Sequence, residues 1–174
     1  MRIAIVIGTR PEIIKMAPIV RECQKRKIPF FLIHTNQHYS SNMDRIFFKE
    51  LSLPIPDYNL EVGSGNHGFQ TGEILKRIES ILLKEMPNIV LVEGDTNSVL
   101  AGALAASKLH IKVGHVEAGL RCFDKSMPEE INRMLTDHLS DFLFVPTKDS
   151  EENLKNEGVK DDIIYITGNT IVDA

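Results

Sequence analysis

The sequence predicts an α/β fold with a Rossmann-like, doubly wound parallel sheet, and two observations support this class. Short runs rich in Ile and Val are apolar at almost every position, as expected of strands whose two faces are both buried in a parallel sheet. Longer segments with helical periodicity separate these runs along the whole chain. This alternation is typical of strand–helix–strand units with right-handed crossovers.

The elements alternate regularly from the first residues onward. Residues 3–7, with the sequence IAIVI, begin the series as a buried strand. Further strands are expected where short apolar runs recur, over residues 30–34, 89–92, 112–116, 142–145 and 163–166. Helices are expected between them, over residues 10–25, 42–51, 69–84, 97–109, 128–139 and 148–156, with a Pro-rich connection before the third. We therefore expect a single domain over residues 1–174.

Composition and charge argue against several classes of protein. Apolar residues make up 43% and charged residues 25%, as in ordinary globular proteins, so a disordered chain or a disulfide scaffold is not expected. The net charge is −4 and no basic stripe is present, which argues against a nucleic-acid partner. No apolar run reaches the roughly 18 residues of a membrane span. Cys23 and Cys122 lack metal-ligand spacing, so we expect no metal site and reduced thiols in a cytoplasmic protein.

The turns that follow the predicted strands are the place to look for a ligand site. In doubly wound sheets, ligands bind where the strands end and the next helices begin. These turns are rich in charged, hydroxyl and amide side chains, at residues 8–12, 35–38, 93–97, 117–121 and 146–147. Carboxylates from at least two different strands are therefore expected at this edge of the sheet.

The first of these turns contains an N-terminal helix signal and two candidate cations. Thr9 and Glu12 have the spacing of a capping box, and we favour this structural role for Glu12. Arg10 lies in the first helical turn, where exposed amides attract anions and a guanidinium can bind a diphosphate bidentately. We interpret Arg10 as an anion-binding residue, whereas the pattern leaves Lys15 equally open to a structural or a functional role.

Two carboxylates directly follow later strands. Asp95 fits either a helix N-cap or an acid, base or hydroxyl-binding group, and its position alone does not decide. Glu117 is followed by small residues that allow close approach of a ligand, and partial desolvation there is expected to raise the pKa of its carboxyl group. We interpret His115 as a core histidine that faces a neighbouring helix.

A second capping-box pattern occurs at Ser126 and Glu129. On this interpretation Glu129 is structural and Glu130 faces solvent. The alternative places Glu129 in the cleft beside the other two carboxylates, and spacing leaves both open. The string G-x-G-x-x-G at residues 63–68 does not follow the first strand, where a dinucleotide fingerprint belongs, so NAD binding is not expected.

These motifs together resemble one family over essentially the whole chain. They are residues 8–12 with Lys15, Gln37-His38, 94–96, 115–121, 128–133 and 168–170. The set is similar to the non-hydrolysing UDP-N-acetylglucosamine 2-epimerases, and the string from His115 to Arg121 is highly specific. The resemblance implies that residues 1–174 form the first of two Rossmann-like domains in a GT-B-type arrangement. The active site would lie between the domains, and the second, UDP-binding domain is not part of this chain.

The resemblance also implies an activity and a set of site residues. The activity is reversible epimerisation of UDP-N-acetylglucosamine (UDP-GlcNAc) at C2 to UDP-N-acetylmannosamine (UDP-ManNAc), through elimination and re-addition of UDP without a cofactor. Proton transfer and charge stabilisation are implied for Asp95, Glu117 and Glu129, so Glu129 is preferred to Glu130. Substrate binding is implied for Arg10, Lys15, Gln37, His38 and Arg133. A cytoplasmic homodimer is expected.

Two departures from the family pattern bear on the details. Bacterial members often have Gln-His-Arg in a site where the substrate also acts as activator, but here Gln37-His38 precedes Tyr39-Ser40, which does not support that activation. Residues 36–39, 63–65 and 127–129 resemble relatives that epimerise a 2,3-diacetamido uronic acid nucleotide, which is the alternative substrate. A hydrolysing epimerase, a glycosyltransferase and a UDP-sugar-binding module without catalysis are the rival functions.

Overall fold

A computed structural model describes residues 1–36 and 41–174, with side chains described for residues 1–36 and 46–174. Its centre is a seven-stranded parallel sheet with the strand order β3-β2-β1-β4-β5-β6-β7. The strands are β1 (Ile3–Ile7), β2 (Phe30–His34), β3 (Tyr58–Asn59), β4 (Ile89–Glu93), β5 (Lys112–Val116), β6 (Phe142–Val145) and β7 (Ile164–Ile166). The predicted doubly wound parallel sheet is confirmed.

Six α-helices are described between these strands. They are α1 (Arg10–Lys25), α2 (Ser41–Glu50), α3 (His67–Glu85), α4 (Asn97–Lys108), α5 (Pro128–Leu139) and α6 (Lys148–Asn156), with 3₁₀ turns at Asp161–Ile163 and Thr170–Asp173. Each predicted helix is present with ends within two residues of the expected ones. Within the described residues, no helix is long and apolar enough to cross a membrane.

The strand order creates a switch point between β1 and β4. The chain moves outward from β1 to β2 and β3, and then returns to place β4 on the other side of β1. The loops leaving these two strands diverge to opposite sides and leave a crevice at the carboxyl end of the sheet. This crevice positions the candidate site.

The alternation of side chains along β1 explains its uninterrupted apolar sequence. Ala4 and Val6 pack into one apolar cluster with residues of α3 and α4, whereas Ile5 and Ile7 pack into a second cluster with α1. Residues 3–7 are all buried because the two faces of a strand point in opposite directions and both are covered here.

Candidate active site

The first group of site residues surrounds Lys15 at the ends of β4 and β5. The Nζ atom of Lys15 forms a short ion pair with Oε2 of Glu117 and lies 3.1 Å from Oε1 of Glu93. The side chain of Asn169 donates a 3.0 Å hydrogen bond to the other oxygen of Glu117. Two donors, Lys15 and Asn169, therefore converge on two carboxyl groups at the ends of two neighbouring strands.

The environment sets opposite protonation states for these two carboxyl groups. Burial, followed by the interaction with Glu117, raises the pKa of Glu93 to about 9, and the opposing effect of Lys15 is smaller. Burial also tends to raise the pKa of Glu117, but hydrogen bonds from Glu93 and Lys15 outweigh it, and the pKa falls below its usual value. The expected upward shift at Glu117 is therefore wrong, because donors surround its carboxylate.

The backbone places Glu117 in a conformation that few residues adopt. Its φ is 66°, in the left-handed region that is unusual for a residue with a side chain. Two residues later, Gly119 has φ 78°, and a Cβ atom there would lie 2.3 Å from the carbonyl oxygen of Ser150. Only glycine fits at 119, and such strained turns concentrate at functional sites.

Glu12 links the turn after β1 to the turn after β4. Its carboxyl group accepts a 2.5 Å hydrogen bond from the amide of Gly8 and a 2.7 Å bond from Oγ1 of Thr96. Burial raises the pKa of Glu12 to about 7, although these bonds and one from the Thr9 amide lower it. The predicted capping box is half formed: Glu12 reaches back to the turn, but the Thr9 side chain makes no cap bond.

The second group contains Asp95, which is not an N-cap. The N-cap of α4 is Thr96, whereas the carboxylate of Asp95 pairs with Nη2 of Arg133 at 2.6 Å. The side-chain amide of Asn132 donates a 2.9 Å bond to the Asp95 carbonyl oxygen. The start of α5 is thus attached to the turn after β4, and the capping alternative for Asp95 does not hold.

Glu129 lies on the helix face that meets Asp95. Asn132 and Arg133 are three and four residues further along α5, so the three side chains share one face of the helix. Glu129 is half-buried, and its side chain forms no hydrogen bond or ion pair with the residues that the structure describes. This position agrees with the cleft interpretation and not with a reciprocal cap.

Two expectations at the start of α5 are wrong. Ser126 does not cap the helix: the N-cap is Met127, and the Ser126 amide is bonded to Asp124. Glu130 does not face solvent but is 1% exposed, because the preceding loop folds over it. Its carboxylate accepts bonds from the amides of Cys122 and Phe123 and pairs with Arg133 at 2.8 Å.

The predicted cations differ in their surroundings. Arg10 lies in the first turn of α1 as expected, with its guanidinium 5.8 Å from the centre of the Phe47 ring. Lys15 and Arg133 are both paired with carboxylates of the two groups described above. Gln37 and His38, predicted to bind substrate, lie outside the described residues.

His115 belongs to a buried ion network behind Glu117. Its Nδ1 lies 2.6 Å from Asp137 of α5 and its Nε2 lies 2.8 Å from the carbonyl oxygen of Gly94. Both partner atoms, a carboxylate oxygen and a carbonyl oxygen, are hydrogen-bond acceptors, and together they fix the orientation of the ring. Asp137 also pairs with Arg121 at 2.8 Å and accepts from the Gly119 amide. The prediction of a core histidine facing a helix is confirmed.

Sequence reasoning missed three members of the site. Glu93 is the last residue of β4, and its position after an apolar run predicted only that a turn begins there. Asn169 lies in the family motif at residues 168–170, but the motif did not indicate a role for it in the site. Asp137 lies in a helix with no local motif, although a buried arginine such as Arg121 needs an acidic partner of this kind.

A groove of about 460 Å³ adjoins the second group and separates the starts of α3 and α5. Its lining includes His67, Thr71, Asn97, Pro128 and Asn132. Asn132 is the residue that holds the Asp95 backbone, so a ligand in this groove reaches the surroundings of Asp95. The glycine string at residues 63–68 leads into α3 here and is not a first strand–helix turn.

Comparison with known proteins identifies close relatives. A sequence model of the UDP-N-acetylglucosamine 2-epimerase family matches residues 21–174. A Methanococcus maripaludis relative named UDP-N-acetylglucosamine 2-epimerase is 66% identical, covering 99% of this chain and 47% of that protein. A Pseudomonas aeruginosa relative named UDP-2,3-diacetamido-2,3-dideoxy-D-glucuronate 2-epimerase is 52% identical, covering 91% of this chain and 45% of that protein. The chain spans about half the length of these relatives.

Solved structures agree with the fold. UDP-GlcNAc 2-epimerase of Methanocaldococcus jannaschii, in complex with UDP-GlcNAc and UDP, has a TM-score of 0.97 at 62% identity, covering 99% of this chain and 48% of that one. A lipopolysaccharide outer core galactosyltransferase has a TM-score of 0.66 at 16% identity, covering 97% of this chain and 46% of that one. The similarity to the galactosyltransferase concerns the fold alone. It confirms that this chain has the fold expected for one half of a GT-B-type protein.

Proposed function

Because the chain belongs to the UDP-N-acetylglucosamine 2-epimerase family, we propose that it is the N-terminal domain of an enzyme that reversibly converts UDP-GlcNAc to UDP-ManNAc. One observation carries the proposal. Asp95 and Glu117 follow neighbouring parallel strands, and Glu129 lies on the face of α5 that meets Asp95. We infer that these three carboxyl groups, which come from separate elements, border the crevice at the carboxyl end of the sheet, as a reaction that moves a proton at a sugar ring requires.

The chemistry of the reaction suits these carboxyl groups. The hydrogen on C2 is weakly acidic, so a base must remove it while the bond from C1 to the UDP oxygen is already breaking. The ring then carries oxocarbenium-like charge, which nearby carboxylates stabilise. Glu117 is suited to one of these roles because its carboxylate is ionised and fixed by Lys15 and Asn169. Asp95 and Glu129 supply the remaining acid, base or charge-stabilising groups.

The proposed contacts with the diphosphate come from the first turn of α1. Arg10 lies where helix amides and the macrodipole already favour an anion, and its guanidinium can bind two phosphate oxygens. Lys15 pairs with Glu117 and Arg133 pairs with Asp95, and both cations add positive potential to the cleft. Gln37 and His38 stay predicted substrate contacts.

The proposed reaction needs a second domain. The chain covers 47% of its M. maripaludis relative, and we expect the other half to supply most contacts with uridine and diphosphate. The 174-residue chain alone is therefore expected to fold without converting substrate. Measurable epimerisation by the isolated chain would contradict the proposal that the reaction needs both domains.

We also propose a cytoplasmic homodimer without a nucleic-acid partner. Large apolar side chains on α3 and α5 are exposed, among them Phe69, Leu83, Ile131 and Leu135. Such side chains favour burial against a second copy. Cys23 and Cys122 are both free thiols, in agreement with a reducing compartment. Sedimentation of the full-length protein at the monomer mass would contradict the dimer.

Incubation of the full-length, two-domain protein with UDP-GlcNAc in deuterated water tests the proposed reaction. NMR spectroscopy is expected to show solvent deuterium at C2 together with UDP-ManNAc. Release of free sugar and UDP would indicate a hydrolysing enzyme, and tight binding without exchange would indicate a binding module. Faster conversion of a 2,3-diacetamido uronic acid nucleotide would favour the alternative substrate.

Residues 129 and 130 offer a matched pair of substitutions. Glu130→Gln is expected to lower the free energy of unfolding by about 2–4 kcal/mol, because a buried, ion-paired acceptor of two amides is replaced. Glu129→Gln is expected to change stability by less than about 0.5 kcal/mol but to reduce epimerisation by a factor of about 10²–10⁴. Urea unfolding and C2 exchange, measured on both variants, check the pair. Full activity in a folded Glu129→Gln variant would remove Glu129 from the site.

A further inference from the structure

We infer that Glu93 is a positioning residue whose neutral carboxyl group donates a hydrogen bond to Glu117 and keeps Glu117 the ionised member of the pair. Glu93 is the last residue of β4, and Glu117 directly follows the neighbouring strand β5. The inference rests on the proposed role of Glu117 in catalysis and adds the residue that fixes its charge.

The contacts around Glu93 support a neutral donor. Its side chain is 1% exposed, and its Oε1 lies 3.1 Å from Nζ of Lys15. Lys15 forms its short hydrogen bond with Glu117, whose other oxygen accepts from Asn169. The carboxyl groups of Glu93 and Glu117 therefore lie side by side against the same ammonium group. Two carboxyl groups in this arrangement can hydrogen-bond to each other only if one of them carries a proton.

The charges that face Glu93 indicate where this proton resides. They are the carboxyl groups of Glu12 and Glu117 and the ammonium group of Lys15. Lys15 alone cannot neutralise three buried carboxylates, and an unpaired buried charge is costly. Glu117 has the better set of donors, so it holds the negative charge. The directions of the pKa shifts agree, since the pKa of Glu93 is raised to about 9 and that of Glu117 is lowered.

Ionisation of Glu93 would have a defined consequence. A second carboxylate beside Glu117 would take away its hydrogen-bond donor and compete for Lys15. Because the pKa of Glu93 is raised to about 9, the arrangement is intact well below that pH and is lost as the pH rises through it. The epimerase activity of the full-length protein is therefore expected to decline on the alkaline side.

Two substitutions of Glu93 in the full-length protein separate its role as a hydrogen-bond donor from its ability to ionise. Glu93→Gln keeps the shape and a donor N–H group but cannot ionise. It is expected to retain activity within about threefold and to lose the alkaline decline. Glu93→Leu removes the donor and is expected to reduce activity about tenfold or more. An inactive, folded Glu93→Gln variant, or a Glu93→Leu variant with wild-type activity and pH profile, would overturn the inference.

Infrared spectroscopy gives a readout that does not depend on epimerisation. At pH 8, above the pKa of Glu12 and below that of Glu93, the wild-type protein is expected to show the carbonyl stretch of a protonated carboxyl group, and this band is expected to be lost in Glu93→Gln. A folded Glu93→Gln variant that keeps the band would place the proton on another carboxyl group and overturn the inference. This measurement keeps its meaning even if the protein converts a different substrate from the one proposed.

Discussion

Glu117→Gln is expected to abolish measurable exchange of the C2 hydrogen, with a fall in rate of about 10²–10⁴, or roughly 3–5 kcal/mol in the barrier. The amide keeps the size of the side chain but can neither carry the negative charge nor accept a proton. Lys15 and Asn169 both bind the ionised carboxylate of Glu117. The substitution therefore removes the negative charge and the proton acceptor but keeps a side chain of the same size at this position.

The matched control is Glu79→Gln on α3, where the side chain is exposed. This variant is expected to exchange C2 at the wild-type rate. Circular dichroism and urea unfolding of both variants exclude a loss of fold as the cause. Exchange by a folded Glu117→Gln protein at the rate of the control would show that another group moves the proton.

Asp137→Ala is expected to lower the free energy of unfolding by about 3–5 kcal/mol, because it removes the buried carboxylate that pairs with Arg121 and binds the ring of His115. Asp137 pairs with His115 at 2.6 Å and with Arg121 at 2.8 Å, and the side chains of all three are at most 1% exposed. It also accepts the Gly119 amide, so the segment on both sides of Glu117 loses its anchor. Activity is expected to fall with stability.

The pH dependence of this effect has a definite sign. Burial alone would raise the pKa of Asp137, but His115 and Arg121 lower it below its ordinary value of 3.8. The stability that Asp137 contributes is thus fully present above that pH and is lost as the pH falls through the lowered value.

Asp149→Ala, in the exposed first turn of α6, is the control. It is expected to change stability by less than about 0.5–1 kcal/mol, through the helix dipole alone. Urea unfolding at neutral and acidic pH measures both variants. Equal stability of Asp137→Ala and Asp149→Ala at neutral pH would contradict the network.

The parallel sheet was predictable because its strands are buried on both faces. Runs such as Ile3–Ile7 therefore have no polar alternation and stand out from the helical segments. The edge strand β3 was missed because two residues in a Pro-rich connection carry no periodic signal. The capping box predicted at Thr9 is half formed and the cap predicted at Ser126 is wrong, since the best partner of an amide is set by tertiary contacts.

The sequence predicted which residues belong to the candidate site better than it predicted the surroundings of their side chains. Strand ends and family motifs identified Asp95 and Glu117, but the downward pKa shift of Glu117 depends on Lys15 and Glu93 from other elements. The hydrophobic pattern of α5 predicts the wrong buried face. Polar residues of this helix are buried, whereas Ile131 and Leu135 are exposed. Hydrophobic periodicity does not predict a helix face that is buried because its polar side chains bind other polar groups.

A crystal structure of the full-length protein with bound UDP-GlcNAc tests most directly whether Asp95, Glu117 and Glu129 act on one sugar ring. We expect at least two of the three carboxyl groups within about 4 Å of C1, C2 or the C2 hydrogen, one on each face of the ring, close to the reach of proton transfer. A sugar seated in the crevice with its C2 beyond the reach of all three groups would contradict the proposed reaction at this site.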